Sequence, residues 1–226
     1  MSADPTSPPA IEAIPLHDSR ALSLLTTEHF ALQGLRASTI SDSSSRASLY
    51  MASISGTLVA LSLLGSATRL GPAFVVAALV IAPTLIFLGI ATYARVLQSA
   101  LEDTFYGLGI NRIRHLYLNL VPTARPYFVQ SDRDDVWGVL ANMSAERGGP
   151  WQLMLTTAGA VGVINSVLTG AFGAGLLLEM FNAPLGWGFA FGLLCFAGST
   201  SLYYFHQQRA WYAFSRGHPA LFPSNS

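Results

Sequence analysis

Four long apolar stretches dominate this chain and restrict what it can fold into. They cover residues 47–68, 72–96, 151–178 and 184–205, and the first holds 22 residues without a charged side chain. A helix of that length reaches roughly 33 Å, which is enough for a hydrocarbon core of roughly 30 Å. Because soluble folds rarely need apolar runs of this length, the pattern predicts four transmembrane helices.

Short proline-containing turns join these stretches in pairs. The turn at 69–72 is long enough only for an antiparallel return, and Pro184 opens the fourth stretch after the linker 179–183. Proline suits the first turn of a helix, because its missing N–H would have no partner there. We therefore predict an all-α fold, a four-transmembrane-helix bundle of two hairpins (47–96 and 151–205) with cytosolic helical extensions.

Basic residues are distributed unevenly around the four stretches. All 12 are arginine, and only Arg69 lies on the side of the two short turns. Cytoplasmic loops retain an excess of basic residues, so this split predicts cytoplasmic N- and C-termini in the inner (plasma) membrane. The formal net charge is zero. Since no basic excess is left for phosphates, nucleic acid is not expected as a partner.

The remaining segments divide into two tails and two helical parts. Residues 1–16 are rich in Pro, Ser and Ala without a basic residue, which predicts a disordered tail and not a signal peptide. An apolar stripe predicts a cytosolic helix over 17–46, with Asp18 as its N-cap. A second cytosolic helical segment is predicted over 97–150, and 206–226 is predicted to be a cytosolic tail.

Both cytosolic helical parts carry apolar stripes that indicate a packing partner. The first stripe consists of Leu22, Leu25, His29, Leu32 and Arg36. We expect the two helices to lie side by side, and amphipathic helices on the lipid headgroups are the alternative. In the second part, a helix over 98–120 should end before Pro122. A short helix over 132–143 is predicted to begin at Ser131, with Asp134 completing a capping box.

Small side chains recur every four residues on two of the apolar stretches. They are Ala52, Gly56 and Ala60 on the first stretch, and Ala158, Gly162, Ser166, Gly170 and Ala174 on the third. In lipid, close backbone approach through small residues supplies much of helix association. These two ridges predict packing within the bundle, a homo-oligomer, or both. Asn165, in the middle of the third stretch, predicts one interhelical hydrogen bond.

Motifs for catalysis or metal binding are missing from the sequence. It has no Walker loop, no H-E-x-x-H and no G-x-S-x-G, and its one cysteine excludes a cysteine zinc site. We therefore expect no enzyme activity, cofactor or metal. The run 111–117 is the densest polar cluster, and guanidinium groups suit anions. Its candidates for a small anionic ligand or a lipid headgroup are Arg112, Arg114, His115 and Tyr117. A solvated helix side is the alternative.

Three segments, 27–48, 111–117 and 125–129, resemble a family of uncharacterised multi-pass membrane proteins of high-GC bacteria. The likeness covers most of the chain after residue 20 and implies a membrane protein without assigning an activity. Asp42 followed by Arg46-Ala47, at the entry of a helix into a span, is also similar to the membrane effectors of Pycsar antiphage systems. Those effectors impair the membrane on sensing a cyclic nucleotide, and their two-span pattern lacks the third and fourth stretches found here.

These features support three hypotheses about function. The first is an oligomeric interaction or effector module of the lipid bilayer, whose cytosolic helices sense a partner or a small anionic ligand. The second is a small channel or transporter subunit with a pore lined by hydroxyl groups, namely those of Ser53, Ser62, Thr84 or Ser166. The third, a membrane enzyme, is the weakest, because no nucleophile, base and orienting group come together in one compartment.

Overall fold

All regular secondary structure in the computed structural model, which describes residues 19–143 and 151–224, is helical. The helices are α1 Ser19–Thr68, α2 Pro72–Leu120, α3 Val136–Asn142, α4 Trp151–Leu155, α5 Thr157–Phe181 and α6 Leu185–Gly217, with a 3₁₀ helix at Pro122–Tyr127. The predicted all-α class is confirmed over this part of the chain. The tail 1–16, the N-cap at Asp18 and the loop 144–150 lie outside the described residues.

Four of the described helices, α1, α2, α5 and α6, are long and apolar enough to cross a membrane, as predicted. The turn between α1 and α2 is tight, because Arg69 and Leu70 both adopt the left-handed conformation, with φ of 50° and 56°. Leu70 N donates to Gly65 O over 2.9 Å, which closes the end of α1. Asn182 ends α5 in the same conformation, which asparagine tolerates better than most residues.

The third apolar stretch is interrupted near its start, where one helix from residue 151 to 178 was expected. Thr156 is extended and caps α5, and Gly159 N donates to its hydroxyl over 3.1 Å. A Cβ at Gly159 would lie 2.6 Å from Met154 O, so glycine permits the close approach of α4 to the first turn of α5. The hydroxyl of threonine makes this break favourable, because it supplies an acceptor for an otherwise unpaired N–H.

The described chain groups into two compact units. The polar unit contains residues 19–39, 102–143 and 214–224, and the apolar unit contains residues 40–101 and 151–213. Helices α1, α2 and α6 each contribute to both units, and no helix ends at a unit boundary.

The polar unit is built on an antiparallel pair formed by the first part of α1 and the last part of α2. Arg36 Nε lies 2.8 Å from Asp103 Oδ1 at one end, and Thr26 Oγ1 lies 3.4 Å from Tyr117 OH at the other. Between them, a Cβ at Gly109 would lie 3.0 Å from Leu32 Cδ1, so the glycine allows the two helices to approach. The predicted pairing of the two helices is therefore present, and the stripe residues of α1 are its half-buried face.

Helix α3 begins later than the sequence indicated. Its N-cap is Asp135, whose Oδ1 accepts from Gly138 N over 2.6 Å, so the capping box predicted at Ser131 and Asp134 is wrong. Asp134 is fully buried and binds other groups, described below. Asp135 therefore caps α3, while Asp132 and Asp134 make contacts outside the helix.

The apolar unit has a small buried core contributed by α1, α2 and α5. Its members are Tyr50, Ile54, Tyr93, Val96, Leu97, Ala158 and Val161. Helix α6 packs on α5 in the opposite direction, because Gly162 contacts Tyr203 whereas Gly170 contacts Phe196. The order of these contacts makes α5 and α6 an antiparallel hairpin, as the sequence predicted.

Candidate functional site

The polar run 111–117 lies on α2, and helical spacing sends its four predicted ligand residues to two different faces. Arg112 and His115 are three residues apart and share one face, while Arg114 and Tyr117 share another. The structure therefore separates the predicted cluster into two places within the polar unit, and each place has its own chemistry.

On the first face, Arg112 and His115 bind carboxylates of the segment before α3. Arg112 Nε donates to Asp134 Oδ2 over 2.5 Å, and its Nη2 donates to Pro219 O over 3.2 Å. His115 Nδ1 lies 2.9 Å from Asp132 Oδ2, and its ring stacks on Phe222 with 3.9 Å between the centroids. These contacts occupy both residues with partners from the chain itself.

The aspartates on this face hold the segment 219–224 after α6. Asp134 accepts from Leu221 N over 3.0 Å and from Phe222 N over 2.7 Å. Asp135 Oδ2 accepts from Ser224 N over 2.6 Å. Burial acts to raise the pKa of Asp135, but hydrogen bonds from Ser224 and Gly138 outweigh it and lower that pKa. Two carboxylates therefore bind the backbone of the segment 219–224.

On the second face, Arg114 and Tyr117 line a cavity of about 320 Å³. Its other lining residues are His29, Tyr127, Phe128, Val129 and Gln130. The cavity combines a cation, three aromatic rings, one imidazole ring and an amide, and its size falls in the range of small-molecule sites. We call it the Arg114 cavity, and it is the candidate binding site.

Arg114 carries a buried positive charge at this cavity, with 5% of the residue exposed. Its Nη1 donates to Asn111 Oδ1 and to Ser131 O, both over 2.7 Å, and its Nη2 donates to Gln130 Oε1 over 2.5 Å. All three acceptors are neutral oxygens. A guanidinium has five N–H donors, so these bonds leave two for another acceptor. Burial lowers the pKa of Arg114, although the negative charge of Asp132 opposes that effect.

His29 also lines the cavity and has a buried ring nitrogen. Gln33 Nε2 lies 3.0 Å from His29 Nε2, and an amide nitrogen only donates, so the neutral ring carries its proton on Nδ1. This Nδ1 is buried and has no hydrogen-bond partner in the described structure. Burial and the neighbouring Arg114 lower the pKa of His29, which keeps the ring neutral at pH 7. A buried N–H without an acceptor is unfavourable by about 1–3 kcal/mol.

Sequence reasoning found part of this cavity and missed the rest. Arg114 and Tyr117 were predicted as ligand residues, whereas His29 was placed in the packing stripe of α1. Gln130 and the exposed loop 127–129 carried no signal, because their position depends on the turn that the 3₁₀ helix Pro122–Tyr127 imposes after α2. Pro122 and Pro126, in that turn, were the only feature of the sequence that could have indicated a chain reversal towards α2.

In the apolar unit, Asn165 is fully buried and joins four helices instead of making the single bond that was expected. Its Oδ1 accepts from Tyr50 OH of α1 over 3.0 Å. Its Nδ2 donates to Ile86 O of α2 over 3.1 Å and to Tyr203 OH of α6 over 2.7 Å. Since all its polar atoms have protein partners, Asn165 is a structural junction of the unit.

The two small-residue ridges have different environments. On α5, Gly162, Ser166 and Gly170 are buried against α6, and Ser166 Oγ lies 3.0 Å from Ser199 Oγ, within hydrogen-bond distance. On α1, Ala52, Gly56 and Ala60 are exposed, and a Cβ at Gly56 would have nothing within 4 Å. The α5 ridge is therefore an internal contact, and the α1 ridge is uncovered in the single chain.

The described residues contain no group of three or more His, Cys, Asp or Glu side chains that could hold a metal ion. No protein-family model matches the chain, and comparisons with curated proteins and with solved structures find no match.

Proposed function

We propose that this chain is a multi-pass protein of the bacterial inner membrane, in which the apolar unit forms a bundle of two hairpins in the bilayer. Four helices of spanning length support this proposal. The eleven arginines on one side of the apolar stretches favour cytoplasmic N- and C-termini, which would place the polar unit in the cytosol. Tags at either end should then be protected from protease in intact cells and cleaved in inverted vesicles.

The polar unit is proposed to be a sensing part that binds a small anionic ligand in the Arg114 cavity. The observation that carries this proposal is the lack of a carboxylate within ion-pair distance of Arg114 in the described residues. Four other arginines of the unit, at positions 36, 112, 125 and 133, each have one. A buried cation held only by neutral oxygens is unfavourable, and an anionic ligand would compensate its charge.

The rings around the cavity favour an anion that also has a flat face. Tyr117, Tyr127 and His29 are suited to stacking on a nucleobase, while Arg114 is suited to a phosphate. The similarity to Pycsar effectors points to the same class, a cyclic nucleotide. We therefore propose a phosphorylated aromatic ligand of the nucleotide type, with free phosphate as the minimal probe.

Binding of cyclic mononucleotides and of inorganic phosphate to the chain in nanodiscs, measured by calorimetry, tests this proposal. Arg114→Gln should reduce the affinity at least tenfold, because a charge-assisted hydrogen-bond pair contributes about 1.5–3 kcal/mol. Arg125→Gln is the matched control, since it removes the same charge from an exposed side chain outside the cavity. Equal losses in both variants, or no binding of any probe to the parent chain, would contradict the proposal.

We further propose that the chain is a homo-oligomer that associates through the α1 ridge. Gly56→Leu should abolish crosslinked dimers in membranes, because it removes a close-approach surface, and it should leave the monomer stable. Gly162→Leu is the contrasting variant, since a Cβ there would lie 3.1 Å from Tyr203 Cγ and would disturb the fold of one chain. Crosslinks that persist in Gly56→Leu would exclude this interface.

Three of the four hydroxyl groups predicted to line a pore bond to their own helices, which favours the sensing module over a channel. Ser53 donates to Leu49 O over 2.9 Å, Thr84 donates to Val80 O over 3.0 Å, and Ser166 donates to Gly162 O over 2.8 Å. Each of these hydroxyls is satisfied by the preceding turn of its own helix, which leaves little polarity for a water-filled pore.

A further inference from the structure

The apolar unit has a groove that the proposed function does not use. It has a volume of about 270 Å³ and lies between α1, α2 and α5. The residues that line it are almost all apolar, among them Leu58, Phe74, Leu85 and Leu168, with Glu179 as the one charged residue. We propose that this groove binds an acyl chain of a bilayer lipid whose headgroup carries an amine.

The length of the groove fits one leaflet of a bilayer. Phe74 and Leu85 line it on α2, and Leu168 and Glu179 line it on α5. Each pair is separated by eleven residues, which corresponds to about 16 Å along a helix. Half of a hydrocarbon core is about 15 Å, so a chain entering from one surface would fill the groove as far as the bilayer centre.

Charge complementarity selects the headgroup. Glu179 lies near the end of α5, at the mouth of the groove, and makes no ion pair with any described residue. A carboxylate at a membrane surface attracts an ammonium group and repels a headgroup that carries only negative charge. The occupant is therefore assigned to an amine lipid of the phosphatidylethanolamine type, and not to an anionic lipid or to a second copy of the chain.

This inference rests on the proposed membrane location. The first experiment therefore tests that location separately from lipid binding. Membranes containing the chain are washed with alkaline carbonate, and release of the chain would contradict the membrane proposal itself. Chain retained in the membrane is then placed in nanodiscs of equal parts phosphatidylethanolamine and phosphatidylglycerol with matched acyl chains. Lipids that stay bound after mild detergent extraction are counted by native mass spectrometry. We expect the amine lipid to be enriched about two- to fivefold, the range that a surface ion pair supports.

Two glycines provide a matched pair of variants for filling the groove. Gly175 lines the groove, and a Cβ there would have nothing within 4 Å, so Gly175→Phe should fill the groove without displacing the backbone. Gly198 of α6 is equally open but lies outside the groove. Gly175→Phe should lose the retained amine lipid, and Gly198→Phe should keep it. Equal lipid retention in the two folded variants would overturn the inference.

Glu179→Gln tests the headgroup separately from the acyl chain. This variant should still retain lipid, but without preference for the amine headgroup, because the carboxylate charge is removed. An unchanged preference, or retention of as much phosphatidylglycerol as phosphatidylethanolamine by the parent chain, would overturn the assignment. Loss of crosslinked dimers in Gly175→Phe with unchanged lipid retention would show that a second copy covers the groove, which also overturns it.

Discussion

Replacing Asn165 with alanine should destabilise the apolar unit more than any other single polar substitution there. The side chain makes three hydrogen bonds, to Tyr50 OH, Ile86 O and Tyr203 OH. In a membrane each interhelical bond contributes about 0.6 kcal/mol, so the three together contribute about 2 kcal/mol. Leaving a buried tyrosine hydroxyl without a partner costs about 1–3 kcal/mol in addition, which gives a total loss of about 3–5 kcal/mol.

Unfolding in mixed micelles, titrated with sodium dodecyl sulfate and followed by tryptophan fluorescence, measures this loss. Tyr50→Phe is the matched comparison, because it removes one of the three bonds and keeps the ring in the core. It should cost about 0.6–1.7 kcal/mol. The double variant Tyr50→Phe/Asn165→Ala should be less destabilised than the sum of the two single variants, since the bond is lost only once. Strict additivity would refute the role of Asn165 as a structural junction. So would a loss of stability in Asn165→Ala no larger than that in Tyr50→Phe.

Three further predictions concern other positions. Gly89→Ala should destabilise the apolar unit, because a Cβ there would overlap Asn165 and lie 2.6 Å from Tyr50 OH. Gly34→Ala should instead stabilise α1 by about 1 kcal/mol in the same titration, because a Cβ at Gly34 has open space around it. Asp134→Asn should loosen the segment 219–224, which limited proteolysis would detect as faster cleavage of a C-terminal tag. The pKa of His29 in the folded chain lies below its unfolded value of about 6.5. The unfolded state therefore binds protons more strongly than the folded state. The free energy of unfolding should fall as the pH decreases from about 6.5 towards the folded pKa. His29→Gln should remove that part of the pH dependence, measured as thermal melting of the chain between pH 7 and pH 5.

The fold was predictable because apolar length and helical periodicity are local properties. The run 47–68 identified the apolar part of α1, and the prolines at 72 and 184 placed the first turns of α2 and α6. The break at Thr156 was not predictable from periodicity. Thr156 could either cap a new helix with its hydroxyl, as it does here, or continue the helix that precedes it. Both outcomes have the same apolar pattern.

The site was less predictable, because it depends on long-range partners. Arg112 and Arg114 are two residues apart and chemically identical, yet the first binds Asp134 and the second binds only neutral oxygens. Nothing in the sequence distinguishes them, since Asp134 reaches α2 only after the chain has reversed through the 3₁₀ helix. The run 132–135 illustrates the same difficulty, because its aspartates serve one cap, one histidine and one backbone segment.

The ridge and the groove on α1 show why the oligomer and the lipid site can coexist. At 100° per residue, the ridge positions 52, 56 and 60 centre about 150° away from the groove positions 57, 58 and 61 on the helix surface. The buried residues Tyr50 and Ile54 share the groove side, so the ridge points away from the rest of the unit. The groove side of α1 is enclosed by α2 and α5, whereas the ridge side faces open space at Gly56. Because the two surfaces use opposite sides of α1, Gly56→Leu should change association without changing lipid retention, and Gly175→Phe should do the reverse.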